Sequence, residues 1–150
     1  MSLRTDVIPR ARSAYTHARL QPTRWNDNDA FGHMNNAVHY QFFDTAVNLQ
    51  LQDWGAIQSP QDPFRFIVAE TGCRYYAEIR YPSEITTFLR IAHLGRSSVR
   101  YELALFPGGA TEAAATGFLV HVHVAATTVR PCPIPDDLRA AMTTEMQVVK

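Results

Sequence analysis

No stretch of the 150-residue chain approaches the roughly 20 consecutive apolar residues that a membrane-spanning helix needs. Cysteine is scarce: Cys73 and Cys132 are the only two, and they match neither a CxxC motif nor another zinc spacing. A cytoplasmic protein with reduced thiols is therefore expected. An excess of charge is also missing, since Lys plus Arg number 14 and Asp plus Glu number 14. That balance argues against a general nucleic-acid binder, which needs basic excess to neutralise phosphates. It leaves room for a local basic patch facing a small phosphorylated ligand. There is no Gly-rich phosphate loop, so ATP and dinucleotides are not indicated and no cofactor is expected. Met1 to Arg12 carries charges without an apolar run, so no secretory signal is expected there. Repeats and low-complexity segments are absent as well. Hydrophobic residues make up 46% and charged residues 19%, enough apolar material for one real core. We expect a flexible arm over residues 1–14 and a single domain over residues 15–150.

The pattern along the chain is one of strands around one long helix. Tyr15 to Trp25 alternates weakly and reads as a strand. Asn36, Tyr40, Phe43, Val47, Leu51 and Trp54 then recur at spacings of three or four, forming one apolar stripe that Gly55 ends. Strands are expected over Phe66 to Tyr76, Ile85 to Leu94, Ser97 to Phe106 and within Glu112 to Val129. Tyr81-Pro82, Gly95-Arg96 and Pro107-Gly108-Gly109 mark turns between them. Pro131, Pro133 and Pro135 close the last strand, and Asp136 to Met146 reads as a short helix. The fold class is α+β, a helix packed on an antiparallel sheet of about five strands. One helix covers only one face of such a sheet and leaves its edges open, so pairing with a second copy is expected.

The polar segment between the first strand and the helix is the richest in chemistry. Asp27 and Asp29 stand two apart, followed by Gly32, His33, Asn35 and Asn36, and then the helix begins. A helix start offers unpaired N–H groups and a partial positive charge, a site that polarises a carbonyl or binds an anion. A carboxylate just before it suits a nucleophile or general base. Gly32 allows a tight turn and close approach of a ligand to the backbone. The plainer alternative is that Asn35 or Asn36 caps the helix and the aspartates form turns.

Arg24 to Tyr40 resembles the signature of hotdog-fold acyl-CoA thioesterases, closest to the 4-hydroxybenzoyl-CoA thioesterase-like family. That pattern runs Asp-x-Asp-x-x-Gly-His-Val-Asn-Asn at the entry to the central helix, and here only Met34 departs from it. The resemblance extends from about Tyr15 to about Ala140. It implies a long helix wrapped by a curved antiparallel sheet, a homodimer or dimer of dimers, and acyl-CoA held where two chains meet. It implies hydrolysis of the thioester to a free acid and CoA, with Asp29 as nucleophile or base and the amide near Asn36 as oxyanion donor. His33 would act in catalysis or tie the loop, and Gly32 and Asn35 would shape the substrate site. In related plant enzymes an asparagine stands where this chain has Phe31, which puts a copied mechanism of that kind in doubt. Another branch uses a helix carboxylate, for which Asp44 is the candidate. Arg96 and Ser97, after Gly95, match loops that meet CoA phosphate or pantetheine; an ordinary hairpin is the competing reading. The alternative to hydrolysis is a non-hydrolytic hotdog protein that binds acyl-CoA or acyl carrier protein.

Two other groups of residues have plain structural explanations. His121 and His123 share one strand face, but no third ligand is marked, so a pair on a half-exposed strand face or dimer surface is expected rather than a metal site. Cys73 reads as a buried thiol and Cys132 as an exit-loop residue. Phe31, Phe42, Phe43, Trp54 and Phe64 are the aromatic candidates for core or acyl pocket.

Overall fold

The computed structural model describes residues 7–56 and 59–145. Strand β1 (His17–Pro22) leads through the polar loop into helix α1 (Val38–Asp53). Strands β2 (Phe64–Tyr75), β3 (Glu84–Leu94), β4 (Ser98–Pro107) and β5 (Ala115–Ala125) follow, then a short helix α2 (Asp136–Glu145). The elements fall where the sequence pattern puts them, with boundaries moved by a few residues. The sheet is antiparallel throughout, in the order β1-β3-β4-β5-β2. This is the α+β hotdog arrangement, one long helix on one face of a five-stranded sheet.

Alternation assigns the faces. Ile85, Leu89 and Ile91 of β3 and Val99, Tyr101, Leu103 and Leu105 of β4 are fully buried against α1. The helix presents Phe42, Phe43, Ala46, Val47 and Leu51 to them. Its buried face is wider than the apolar stripe suggests, because His39 and Gln50 are buried too. Gly55 takes φ +75° and ends the helix, with Gly55 N–H donating to the Gln52 carbonyl at 2.8 Å. Where α1 packs on β5, the Phe43 ring lies tight against the strand. A Cβ on Gly117 would lie 2.3 Å from Phe43 Cε2 and 2.6 Å from the Gly72 carbonyl oxygen.

Of the expected arm, residues 1–6 lie outside the described residues. Arg10 donates from Nε and Nη2 to the Ala113 carbonyl at 3.2 and 3.0 Å. Arg12 lies 5.1 Å from the centre of the Phe106 ring. These contacts lie on the sheet face opposite α1, beside a small second cluster of Ala104, Phe106 and Ala113 with Tyr15 and Phe88. At the other terminus Leu138 and Met142 of α2 enter the main core. Arg139 donates to the Gly95 and Arg96 carbonyls at 2.6 and 3.0 Å, pinning α2 to the β3–β4 turn. Met146, expected at the end of this helix, lies outside the described residues. Among the described residues no helix is long and apolar enough to cross a membrane.

Candidate active site

The loop before α1 is built around Asp27. Its side chain is 1% exposed, and its carboxylate accepts the Arg24 backbone N–H at 2.7 Å and Arg24 Nη2 at 2.9 Å. The Asp27 carbonyl accepts the Asn35 N–H at 2.8 Å. Both acceptors of this residue are therefore committed to the loop, and Asp27 is an organiser rather than a second base.

Asp29 sits at the mouth of a tight hairpin closed by the Asn28–Met34 bridge. Its N–H donates to the His33 carbonyl at 2.9 Å, and its own carbonyl accepts the Gly32 N–H at 3.1 Å. Asp29 Oδ1 accepts the Phe31 N–H at 2.9 Å, and among the described residues the carboxylate forms no further bond. One oxygen is thus held and the other is available. Gly32 takes φ +82°, and nothing lies within 4 Å of where a Cβ would stand. The glycine serves the backbone conformation and leaves open space beside the carboxylate. His33 Nε2 lies 3.2 Å from Glu78 Oε1, and the Met34 N–H donates to the Ile79 carbonyl at 2.7 Å. Together these contacts fasten the hairpin to the segment that follows β2.

The helix start completes the geometry. An Asx turn leads into it: Asn35 Oδ1 accepts the Ala37 N–H and its carbonyl accepts the Val38 N–H, each at 2.9 Å. Regular helix begins at Val38, two residues after Asn36, and the Asn36 N–H has no acceptor among the described residues. That amide, just before the helix N-terminus, belongs to the same loop as the free Asp29 oxygen. Beneath it lies His39, 3% exposed, whose Nδ1 has no partner among the described residues. Burial lowers the His39 pKa and outweighs the nearby Asn35 and Asn36 backbone, which favours the charged form. Tyr75, at the end of β2, donates its phenol to the Asn36 carbonyl at 2.6 Å and sets its ring edge-on to His39, 4.6 Å between centres. Desolvation, then Cys73 and Tyr40 beside it, push the Tyr75 phenol well above its usual pKa, so it stays protonated. Neither His39 nor Tyr75 stands out in the sequence, because both contacts join residues that no local motif links.

Asp29, Gly32, His33, Asn35 and Asn36 are therefore brought together. Arg96 and Ser97 are not. Their carbonyls accept the Ile134 and His123 N–H groups at 2.9 and 2.7 Å, which places the turn at the Phe64 end of β2. The Asp29 loop touches the Tyr75 end. Twelve residues of strand separate the two ends, roughly 35 Å. Asp44 is exposed on the helix and its backbone carbonyl accepts Asn48 Nδ2.

The histidine pair differs from expectation. His121 and His123 share a face, as alternation predicts, but they are buried at 2% and 5% exposure rather than half-exposed. The cause is β2: Phe66 stacks on His121 at 5.5 Å and Phe64 on His123 at 5.6 Å. Cys132 Sγ lies 3.3 Å from His123 Nδ1. Among the described residues no three His, Cys, Asp or Glu side chains stand together as a metal site. Burial raises the Cys73 thiol to about 11, which leaves it protonated and inert. Of the aromatic candidates, Phe42 and Phe43 are core, Trp54 packs at its rim, and Phe31 and Phe64 are exposed.

Comparison with known proteins agrees with the fold. Residues 23–142 match the family model described as the thioesterase-like superfamily. No curated protein matches the sequence. The crystal structure of the PA5185 protein from Pseudomonas aeruginosa strain PAO1 is 44% identical, with 92% of this chain and 97% of that chain covered and a TM-score of 0.87. The PA2801 protein of Pseudomonas aeruginosa is 26% identical, covering 85% of this chain and 98% of its own, with a TM-score of 0.80. Slr0204, a 1,4-dihydroxy-2-naphthoyl-CoA thioesterase from Synechocystis, shares the fold at 14% identity, a TM-score of 0.75 and coverage of 85% and 94%.

Proposed function

The chain belongs to the thioesterase-like superfamily and is a thioester hydrolase; from that premise we propose a cytoplasmic enzyme that hydrolyses an acyl-CoA to a free carboxylic acid and CoA through Asp29. The observation that carries this reading is that a half-held carboxylate and an unpaired helix-start amide belong to one loop that turns at Gly32. The substrate carbonyl oxygen accepts the Asn36 N–H, supported by the helix dipole. Charge grows on that oxygen as the carbonyl becomes tetrahedral, so the interaction strengthens in the transition state.

Asp29 serves in one of two ways. As nucleophile, its free oxygen bonds to the carbonyl carbon and the C–S bond breaks, CoA leaving as thiolate. Water then hydrolyses the mixed anhydride and restores the carboxylate. As base, Asp29 takes a proton from the water that adds to the carbonyl. Where water adds at the Asp29 carbonyl of that anhydride, a single turnover in heavy-oxygen water leaves label in Asp29, which the base route never does. His33, tied to Glu78, and Asn35, in the turn before the helix, hold the loop in shape. Arg96 and Ser97 meet the CoA portion from a second copy, since their own chain keeps them at the far end of the sheet.

The test is thiol release from short, medium, long and aryl acyl-CoAs by wild type and Asp29→Asn. Asn is isosteric, so the variant should fold and lose about a thousandfold in rate. Full activity in the variant removes Asp29 from the mechanism. Binding without release from any substrate by the wild type would indicate a carrier instead.

A further inference from the structure

We propose that Tyr75 is a positioning residue for the oxyanion donor: its phenol clamps the Asn36–Ala37 peptide and so fixes the aim of the Asn36 N–H. The inference rests on the hydrolase reading above and adds a residue of another strand to the site.

The Asn36 N–H belongs to the peptide whose carbonyl is that of Asn35, and this carbonyl accepts the Val38 N–H at 2.9 Å. The next plane, Asn36–Ala37, is tied at both ends. Its N–H donates to Asn35 Oδ1 at 2.9 Å and its carbonyl accepts Tyr75 Oη at 2.6 Å. Of these ties, the Tyr75 bond alone comes from outside the loop, across 39 positions of sequence. The other two are local and would move with the loop. Tyr75 is in turn placed by the rigid ladder of β2 on β5, where it pairs with Ala115, and by its edge contact with the buried His39 ring. A donor that is already aimed costs no reorganisation as the oxyanion forms, which is what makes such donors effective. Tyr75 as a residue is 42% exposed, so burial alone does not explain its position.

Tyr75→Phe tests the clamp, because it keeps the ring on His39 and removes only the donor. The expected result is a kcat about tenfold lower, equivalent to about 1.4 kcal/mol of transition-state stabilisation, with KM within about twofold and an unchanged thermal midpoint. A wild-type kcat in the variant overturns the inference. So does a loss of kcat matched by an equal loss of folded protein. Amide hydrogen exchange gives a readout independent of turnover. The Ala37 N–H should exchange about tenfold faster in the variant while the Leu51 amide, deep in the helix, stays unchanged. Should the wild type release no thiol from any acyl-CoA, the hydrolase reading falls; unchanged Ala37 exchange would then overturn the clamp as well, and faster exchange would support it.

Discussion

Buried imidazoles give this protein a pH dependence that can be read residue by residue. His121 is 2% exposed, and its Nδ1 has no partner among the described residues. Burial holds its pKa down at about 4, against 6.5 for a free imidazole. The unfolded chain therefore binds a proton at higher pH than the folded one. Stability from this group is complete above about 6.5 and is lost as the pH falls toward 4. The full loss is about 3 kcal/mol at 1.36 kcal/mol per unit. His39, also lowered by burial, acts in the same direction. Thermal midpoints of wild type should fall between pH 6.5 and 4. His121→Phe should flatten that slope, since the added ring would still stack on Phe66. An unchanged slope in the variant would assign the acid sensitivity to other groups.

At the scale of elements, the close crossing of α1 over β5 sets how the helix start is held above the sheet. Gly117 permits that crossing. In Gly117→Ala the new methyl meets both the Phe43 ring and the rigid Gly72 carbonyl. The ring can turn, but the carbonyl belongs to a paired strand and cannot. Urea unfolding should show destabilisation of about 1–3 kcal/mol. Stability equal to wild type would mean that the sheet yields at this crossing. The sequence revealed the elements better than their contacts. The helix stripe, its Gly55 stop and the strand alternation are local patterns, and they located α1 and β2 to β5 to within a few residues. The Asp29 hairpin was legible because its turn chemistry is contiguous. His39 and Gln50 were missed as core because a stripe of apolar residues passes over polar ones. The burial of His121 and His123 depends on Phe66 and Phe64, more than 50 positions away, and the Tyr75 contact with Asn36 has no local signal at all.

The molecule as a whole leaves β2 as an open sheet edge of twelve residues, rich in exposed apolar side chains that include Phe64, Val68 and Tyr75. Long edges with exposed apolar side chains invite pairing with another strand. A second copy added antiparallel about the centre of β2 sets its residue 64 end beside the Tyr75 end of the first. That operation carries its 96–97 turn to the Asp29 loop, and it accounts for candidate residues that lie roughly 35 Å apart within one chain. Sedimentation should therefore give twice the 16.9 kDa chain mass, or four times if two such pairs associate. Ile67→Lys with Val68→Lys puts like charges on both faces at the middle of the edge. The double variant should sediment as a single chain and lose thiol release while Asp29 and its loop stay intact. A variant that still pairs would move the interface elsewhere. A variant that becomes monomeric yet keeps full activity would show that one chain carries a complete site, and Arg96 and Ser97 would then have no part in holding CoA.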